Sequence, residues 1–370
     1  MRWSSIEELQ KAASVGNPEA CNQLGIEYCK GQLVKQDYLM GKTWYENAIS
    51  LGCTDAEFNL GYLYMFGLGV SEDLGQAVYW YEQASDHGSA EAKNMLSDMY
   101  MDGYGVVKDT NKGISLLMEA AWLGWPEAML GVGMLYYEGR LVPQDYAEAK
   151  SWYEAAANAG NQKAMHNLAV MYMQGEGVQK DEEAYKEWRK KAACAGFELD
   201  MAVLLQELAW RLSEKEAEKA RIIFLHSKRE FELISQGASA QEAAHMVDQE
   251  MPCVPEIRTE EVEEFKSWIN KGLENHSPYA VFTFGRELIN GKYYPQNVEE
   301  GLKRIKWFVD SDSQFYYQGL EDLAQIYSEG KVVPVDPELA LQYAQQYCDA
   351  GRDDGLELMD TVKKNLDSYD

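Results

Sequence analysis

We single out three Gly-x-Gly triplets as the residues whose spacing most suggests chemistry, because loops of this kind bind phosphate groups in nucleotide-binding proteins. They lie at residues 67–69, 103–105 and 175–177. A phosphate-binding loop needs a strand before it and a helix N-terminus after it. These triplets follow helical patterns and recur in step with one another, so we interpret them as turns.

Neighbouring carboxylates are the second candidate, because such pairs can act as general acid and base. The pairs Glu182-Glu183, Glu260-Glu261 and Asp353-Asp354 are expected by chance in a chain with 61 acidic residues. The motifs H-E-x-x-H and G-x-S-x-G are absent from the sequence. The six cysteines and five histidines show no spacing typical of a metal site. We therefore predict no catalytic residue, no metal, no cofactor and no enzymatic activity.

The charge of the chain limits its partners. Its formal net charge is −27 and its pI is about 4.6, which disfavours binding to nucleic acids or to anionic membranes. The sequence contains no apolar run long enough for a signal peptide or a membrane span. Scattered cysteines without a disulfide pattern are typical of reduced thiols. We expect a cytoplasmic protein that is not inserted in a membrane.

A glycine recurs every 36 residues through the first half of the chain. We take this glycine as position 0 of each repeat and count the other positions from it. Each of the first five repeats has alanine at position 4, tyrosine at position 12, glycine at position 15 and aspartate at position 21. Such regularity does not arise by chance and predicts a repeat protein. The starting glycines are Gly16, Gly52, Gly88, Gly124, Gly160 and Gly196.

The spacing within a repeat predicts two helices joined by a turn. Positions 4, 8 and 12 are apolar or aromatic and share one face of a first helix, helix A. The glycine at position 15 ends helix A, and the aspartate at position 21 caps a second helix, helix B. A small residue at position 9 predicts that helix B packs closely on helix A. These small residues are Gly25, Gly61, Ser97, Gly133 and Ala169.

The second half of the chain follows the same pattern less regularly. Repeats are expected to start at residues 276 and 315, but residues 197–275 fit only as two degenerate repeats. There we expect a long helix over residues 207–234. We also expect a degenerate repeat that starts at Ala240 and has its turn at residues 252–255. This irregular region is either a bend in the array or an element specific for a partner.

These repeats predict one solenoid over residues 1–370 rather than several domains, since each repeat buries its apolar face against its neighbours. Residues 1–15 and 352–370 are expected to form capping helices at its two ends. Five regular repeats occupy residues 16–196, and two further repeats occupy residues 276–351.

Residues 56–70 carry the pattern A-x-x-x-L-G-x-x-Y-x-x-G-x-G-V. Together with the aspartate and the W-Y-x-x-A-x-x-x-G that follow, this pattern resembles the Sel-1-like repeat family, which is related to tetratricopeptide repeats. The resemblance implies an all-α fold, a right-handed α-solenoid of helix–turn–helix repeats that binds proteins and performs no particular chemistry. Members serve as adaptors in protein quality control, as regulators of cell-wall synthesis, as host-interaction factors and as immunity proteins against secreted toxins.

By analogy with tetratricopeptide arrays, helix A lines a concave groove, and positions 3, 6, 10, 13 and 14 face into it. In the middle repeats these positions hold aromatic and methionine side chains ringed by carboxylates, as in grooves that bind a peptide or a helix. Alternatively, Phe58, Tyr62 and Met134 contact adjacent helices. The candidate partner-binding residues are Asp55, Phe58, Tyr62, Met65, Phe66, Asn94, Asp98, Met101, Asp102, Leu130, Met134, Tyr137, Glu138, His166 and Met173.

The sequence thus predicts a non-enzymatic scaffold or adaptor that binds a basic or amphipathic protein segment in an acidic groove. One alternative is an immunity protein that neutralises a secreted toxin, for which the negative charge would speed encounter with a basic target. A second alternative is a regulatory subunit, or an enzyme activity, within residues 197–275. The oligomeric state does not follow from the sequence.

Overall fold

The computed structural model describes residues 3, 5–235, 259–352 and 354–368. Every regular element within these residues is an α-helix, and the helices form the repeated pairs of an α-solenoid, which confirms the predicted fold class. The chain divides into two compact units, residues 1–185 and 186–370. One solenoid over the whole chain stays a prediction. The five described cysteines are free thiols.

The first unit consists of a short capping helix followed by helix A and helix B of successive repeats. Helix A is α2, α4, α6, α8 and α10, and helix B is α3, α5, α7 and α9. The helices are α1 (Ile6–Ser14), α2 (Pro18–Lys30), α3 (Tyr38–Ser50), α4 (Asp55–Phe66), α5 (Leu74–Asp86), α6 (Ala90–Asp102), α7 (Thr110–Trp122), α8 (Pro126–Glu138), α9 (Tyr146–Asn158) and α10 (Gln162–Gln174).

The predicted caps of helix B are confirmed in the regular repeats. Asp37 Oδ1 accepts a hydrogen bond from the backbone N–H of Met40 at 3.0 Å, and Asp73 Oδ1 does the same for Gln76 at 2.9 Å. Each cap satisfies a backbone N–H that has no partner within its helix. The remaining caps are Asp109, Asp145 and Asp181.

The small residue at position 9 sets how closely the two helices of a repeat approach. A Cβ atom added at Gly61 would lie 2.8 Å from the ring of Tyr81, which is fully buried on helix B. Where Ser97 replaces this glycine, Leu117 stands in place of the tyrosine. The ring therefore occupies the volume that a side chain at position 9 would need.

The core of the first unit lies between the helices of each repeat and of its neighbours. Positions 4, 8 and 9 are buried in all five repeats, as predicted. The tyrosines at position 12 are only half-buried, and position 11 is buried in four of the five repeats instead. The buried residues at position 11 are Glu27, Leu63, Met99 and Met171.

The second unit contains one helix much longer than the others, followed by helix pairs of the regular kind. Helix α11 begins before residue 186. The helices are α11 (Glu182–Cys194), α12 (Glu198–Ser235), α13 (Thr259–Glu274), α14 (Pro278–Asn290), α15 (Val298–Val309), α16 (Tyr316–Glu329), α17 (Pro337–Asp349) and α18 (Gly355–Asp367).

The long helix predicted over residues 207–234 is confirmed, and it starts nine residues earlier, at Glu198. Arg189 is buried beside it, with Nε 3.3 Å from Asp200 Oδ1 and Nη1 3.0 Å from Glu207 Oε1. The predicted repeat start at Ala240, the turn at residues 252–255 and Asp353 of the last acidic pair lie outside the described residues.

The two repeats predicted at residues 276–351 form helix pairs with the same local devices as the first unit. Asn297 and Asp336 cap helix B of these repeats through their side chains. His276, at the place of a starting glycine, has φ of 55°, in the left-handed region that the starting glycines also adopt. The repeat therefore tolerates a histidine where its backbone favours glycine.

Candidate partner-binding surface

The fifteen predicted residues lie on helix A of the second to fifth repeats, on α4, α6, α8 and α10. Positions 3, 6, 10, 13 and 14 share one side of each helix, opposite positions 8 and 12, because an α-helix turns about 100° per residue. We call the residues at these positions in the first unit the helix A face.

Two aromatic side chains form the largest exposed apolar feature of this face. Tyr62 and Phe66 of α4 are 43% and 50% exposed, and their ring centroids are 4.6 Å apart. Met134 of α8 and Met173 of α10 are also exposed. These four side chains are available to a partner without loss of core packing.

Other predicted residues pack within the protein. The ring of Phe58 lies 5.3 Å from that of Tyr81, and Met65 Sδ accepts a hydrogen bond from the Tyr81 hydroxyl at 3.6 Å. Leu130 is buried. Met101 lies against helix B at Gly113. For Phe58, the structure therefore agrees with the alternative that it contacts an adjacent helix.

Carboxylates share this face with the aromatic and methionine side chains. Asp98 and Asp102 are exposed one helical turn apart on α6, and Asp55 and Glu138 are exposed on α4 and α8. Partial desolvation and then the charge of Asp102 raise the pKa of Asp98 above its ordinary value. The acids of this face therefore repel one another, and a cation would relieve that repulsion.

The same repulsion acts between repeats at position 3. Desolvation, and then the charge of Glu127 on the next repeat, raise the pKa of Glu91. Asp55 holds the same position one repeat earlier, and Lys163 holds it one repeat later. Position 3 thus carries an acid in each of the first four repeats.

Polar contacts connect the last repeats of this face. The hydroxyl of Tyr137 donates to Gln174 Oε1 at 3.2 Å, and it also contacts the Glu176 carboxylate. Burial, and then the hydrogen bond to Glu176, raise the pKa of Tyr137 to about 12. Asn94 and His166 are half-buried at position 6. Tyr137 therefore joins two repeats as well as facing outward.

The sequence did not identify the tyrosines of helix B as neighbours of this face. The hydroxyl of Tyr81 is close enough to Tyr62 and Glu91 for their charges to raise its pKa further, beyond the dominant effect of burial. The tyrosines at this position, Tyr45, Tyr81 and Tyr153, each stand over a glycine at position 9. That pairing is the sequence signal that could have found them.

The second unit carries a polar site on the corresponding helices. Arg286 Nε of α14 lies 3.1 Å from Asp322 Oδ2 of α16, beside a cavity of about 160 Å³. Burial raises the pKa of Asp322 to about 6, although the charge of Arg286 acts in the opposite direction. Neither residue was singled out from the sequence.

Residues 3, 5–235, 259–352 and 354–368 contain no group of three or more His, Cys, Asp or Glu side chains arranged to hold a metal ion. Within the same ranges, no helix combines the length and the apolar character that crossing a membrane requires.

Comparison with known proteins gives one family. The Sel1 repeat matches residues 18–53, 54–89, 90–124, 126–161, 162–197 and 318–351, more than half of the chain. The structure of a Sel1 repeat protein from Oxalobacter formigenes is 32% identical, with a TM-score of 0.52 over 55% of this chain and 84% of that one.

Two more distant structures are similar. A protective antigen with an SLR fold, present in uropathogenic Escherichia coli strains, is 23% identical, with a TM-score of 0.49 over 98% of this chain and 91% of that one. An immunity protein from Pseudomonas aeruginosa is 20% identical, with a TM-score of 0.40 over 51% of this chain and 73% of that one. No match was found among curated proteins.

Proposed function

We propose that this chain, which belongs to the Sel1 repeat family, is a non-enzymatic scaffold that binds a basic, amphipathic segment of another protein on the helix A face. The observation that carries the proposal is the pair of exposed rings, Tyr62 and Phe66, at the same face as the exposed carboxylates of α6. An amphipathic segment has an apolar side for the rings and a charged side for the acids.

The rings supply the anchor. Tyrosine is enriched among the residues that dominate protein interfaces, and truncating such an anchor costs on the order of 2 kcal/mol or more. Tyr62 and Phe66 already contact each other, so part of the ordering that binding requires is present in the free protein. Exposed Met134 and Met173 extend the apolar surface and adapt to the shape of a partner.

The acids supply orientation and speed. Repulsion within the pairs Asp98–Asp102 and Glu91–Glu127 is relieved when a basic segment lies between them. A net charge of −27 raises the rate of encounter with a basic partner, and salt screens this effect. We therefore expect association, more than dissociation, to slow as salt is added.

The test is a pair of double variants of the full chain, each tagged and used to purify partners that quantitative mass spectrometry then identifies. Tyr62→Ala with Phe66→Ala removes the anchor and leaves Phe58 in its packing against Tyr81. Tyr79→Ala with Tyr104→Ala removes two rings outside this face that are at least as exposed.

The proposal predicts that a partner enriched by the wild-type chain is lost from the first variant by about tenfold or more, and is kept by the second. Circular dichroism should show the same helicity for both variants. Equal retention of every partner by both variants would contradict the proposal.

The large negative charge favours one special case, an immunity protein whose partner is a basic secreted toxin. In that case the wild-type chain protects cells that express the toxin, and the first variant does not. If the chain binds an endogenous protein but gives no protection from a toxin, the general scaffold proposal stands and the immunity case is ruled out.

A further inference from the structure

A cleft on the other side of helix A from the proposed binding face carries the most exposed tryptophan of the first unit. It lies where α7 meets the next repeat, α8 and α9, and has a volume of about 510 Å³. We call it the outer cleft, and its principal lining residues are Met118, Trp122, Val132, Tyr136, Glu148 and Trp152. The ring centroids of Trp122 and Trp152 are 5.0 Å apart at an angle of 75°, and Trp122 is 77% exposed.

The same place one repeat earlier is occupied by a lysine of the chain itself. There Lys112 Nζ donates a hydrogen bond to the Tyr100 hydroxyl at 2.5 Å, and lies 3.9 Å from the centroid of the Tyr100 ring and 3.8 Å from Glu82 Oε1. The Tyr100 hydroxyl donates to Glu82 Oε1 at 3.0 Å. An ammonium group over an aromatic face with a carboxylate beside it is a favourable arrangement for a cation.

Lysines also accompany the position 12 tyrosine at two other repeat boundaries. Lys42 pairs with Glu46 at 2.8 Å and contacts the hydroxyl of Tyr64. Lys150 pairs with Glu154 at 2.9 Å, and Tyr172 is close enough that its ionised form would raise the pKa of Lys150. A cation beside this tyrosine is therefore a recurrent feature of the first unit.

The outer cleft keeps the tyrosine, Tyr136, but every residue that would bring a cation is replaced. Ile114 stands where Lys42 and Lys150 stand, and Glu148 stands where Lys112 stands. Met118 replaces the glutamate of the other boundaries. None of the described residues places a lysine or arginine within ion-pair distance of Glu148.

We infer that the outer cleft receives a lysine side chain from a partner protein, with its ammonium group among Trp122, Tyr136 and Trp152 and its charge balanced by Glu148. The lysine takes the role that Lys112 has one repeat earlier. A primary ammonium group suits the cleft better than a quaternary one, because it can donate hydrogen bonds to the Glu148 carboxylate and the Tyr136 hydroxyl. Indole rings are the strongest cation–π partners among side chains.

This site is separate from the helix A face. Val132 and Tyr136, at positions 8 and 12, lie on the opposite side of α8 from Met134 and Tyr137, at positions 10 and 13. The inference does not rest on the proposed function, because removal of Tyr62 and Phe66 leaves the outer cleft intact.

The test uses the full chain labelled with 5-fluorotryptophan and observed by fluorine NMR, with the two resonances assigned from Trp122→Phe and Trp152→Phe. The probes are a short glycine–serine peptide with one central lysine, the same peptide with norleucine in its place, and tetramethylammonium chloride against sodium chloride at equal ionic strength. We expect the lysine peptide alone to shift both resonances, with a dissociation constant on the order of millimolar.

Two variants make the test specific. Glu148→Gln should weaken binding of the lysine peptide by about fivefold or more, because the balancing charge is lost. Glu148→Lys with Met118→Glu restores the residues of the preceding repeat, so it should shift both resonances without any probe and abolish the response to the peptide. Glu72→Gln, an exposed acid in a turn, is the control and should change nothing.

Three results would overturn the inference. Equal shifts with the norleucine peptide would make the cleft a simple apolar pocket. A response to tetramethylammonium alone would make it a site for small quaternary cations. No response of either tryptophan to the lysine peptide would show that the cleft does not take this cation.

Discussion

The two units of the chain place different side chains at the same repeat positions. Positions 10 and 14 are Tyr62 and Phe66 in the second repeat, and Arg286 and Asn290 in the repeat that starts at residue 276. In the first unit these side chains are exposed rings in contact with each other. In the second unit Arg286 forms an ion pair with Asp322 of the next repeat.

The difference shows that the repeat determines the backbone and leaves the surface free to vary. Both units use the same left-handed glycine at position 15 and the same side-chain cap at the start of helix B. The helix A face of the first unit offers apolar anchors to another molecule, whereas the second unit satisfies its charges internally at this place. We therefore expect partner binding to depend on the first unit, and the largest contribution of a single acid to pH-dependent stability to come from Asp322 in the second.

The largest effect on this comparison is expected from breaking the ion pair of the second unit. Arg286→Ala leaves the mostly buried Asp322 carboxylate without its partner, and should lower the free energy of unfolding by about 2 kcal/mol at neutral pH, less than for a fully buried pair because the Arg286 side chain is 52% exposed. Chemical denaturation measures the change. Partner binding should stay at the wild-type level, and a loss of binding equal to that of Tyr62→Ala with Phe66→Ala would break the comparison.

The next effect is a dependence of stability on pH that arises from Asp322. Its pKa of about 6 in the folded chain is above its value in the unfolded chain, so the folded state binds the proton more tightly. The resulting stabilisation is complete below pH 4 and is lost as the pH rises through 6, by on the order of 2 kcal/mol.

Denaturation of wild-type chain and of Asp322→Asn between pH 4 and pH 7 checks this. As the pH rises over that window, the wild-type chain should lose free energy of unfolding relative to Asp322→Asn. Repulsion among the other charges acts on both chains and cancels in the difference. A constant difference across the window would show that Asp322 does not titrate there.

The smallest effect concerns the backbone that the units share. Gly41 and Gly301 both hold position 25 of their repeats, which lies on helix B. A Cβ at Gly301 would lie 2.6 Å from Ile289 Cγ1 and 2.7 Å from the carbonyl oxygen of Gly285, which cannot rotate away. A Cβ at Gly41 would lie closest to the Cys29 thiol, and the equivalent carbonyl oxygen, that of Gly25, would be 3.2 Å away.

Gly301→Ala should therefore lower the free energy of unfolding of the chain by about 1 kcal/mol, after the higher helix propensity of alanine is included. Gly41→Ala should destabilise the chain by less than Gly301→Ala, because its closest contact is the Cys29 thiol, which can move, and the backbone oxygen is farther away. Thermal unfolding of both variants measures the contrast, and the reverse order would show that the two units do not pack alike at this position.

The features predictable from sequence were those that depend on nearby residues. The cap at Asp73 needs only a backbone N–H three residues away, and the left-handed turn at Gly67 needs only the absence of a Cβ. The close approach at Gly61 was also predictable, because a small residue recurs at position 9. These local devices were enough to fix the helix pairs and the fold class.

The features that were missed depend on contacts between repeats. Arg286 and Asp322 are 36 residues apart in sequence, but the starts of their repeats are 39 residues apart, so they hold different repeat positions, 10 and 7, and an alignment of the repeats does not pair them. Phe58 was predicted at the binding face, but the ring of Tyr81 lies against it. Which side chains at one helix face stay exposed depends on the sizes of their neighbours, and periodicity alone does not give those sizes.

The most direct measurement of the central claim is photo-crosslinking from matched positions of the two units. Phe66 and Asn290 both hold position 14, and both are exposed. The variants Phe66→p-benzoylphenylalanine and Asn290→p-benzoylphenylalanine place the same reactive group at each. We predict that the partner is captured from position 66 and not from position 290. Capture from position 290 alone would contradict the assignment of binding to the helix A face.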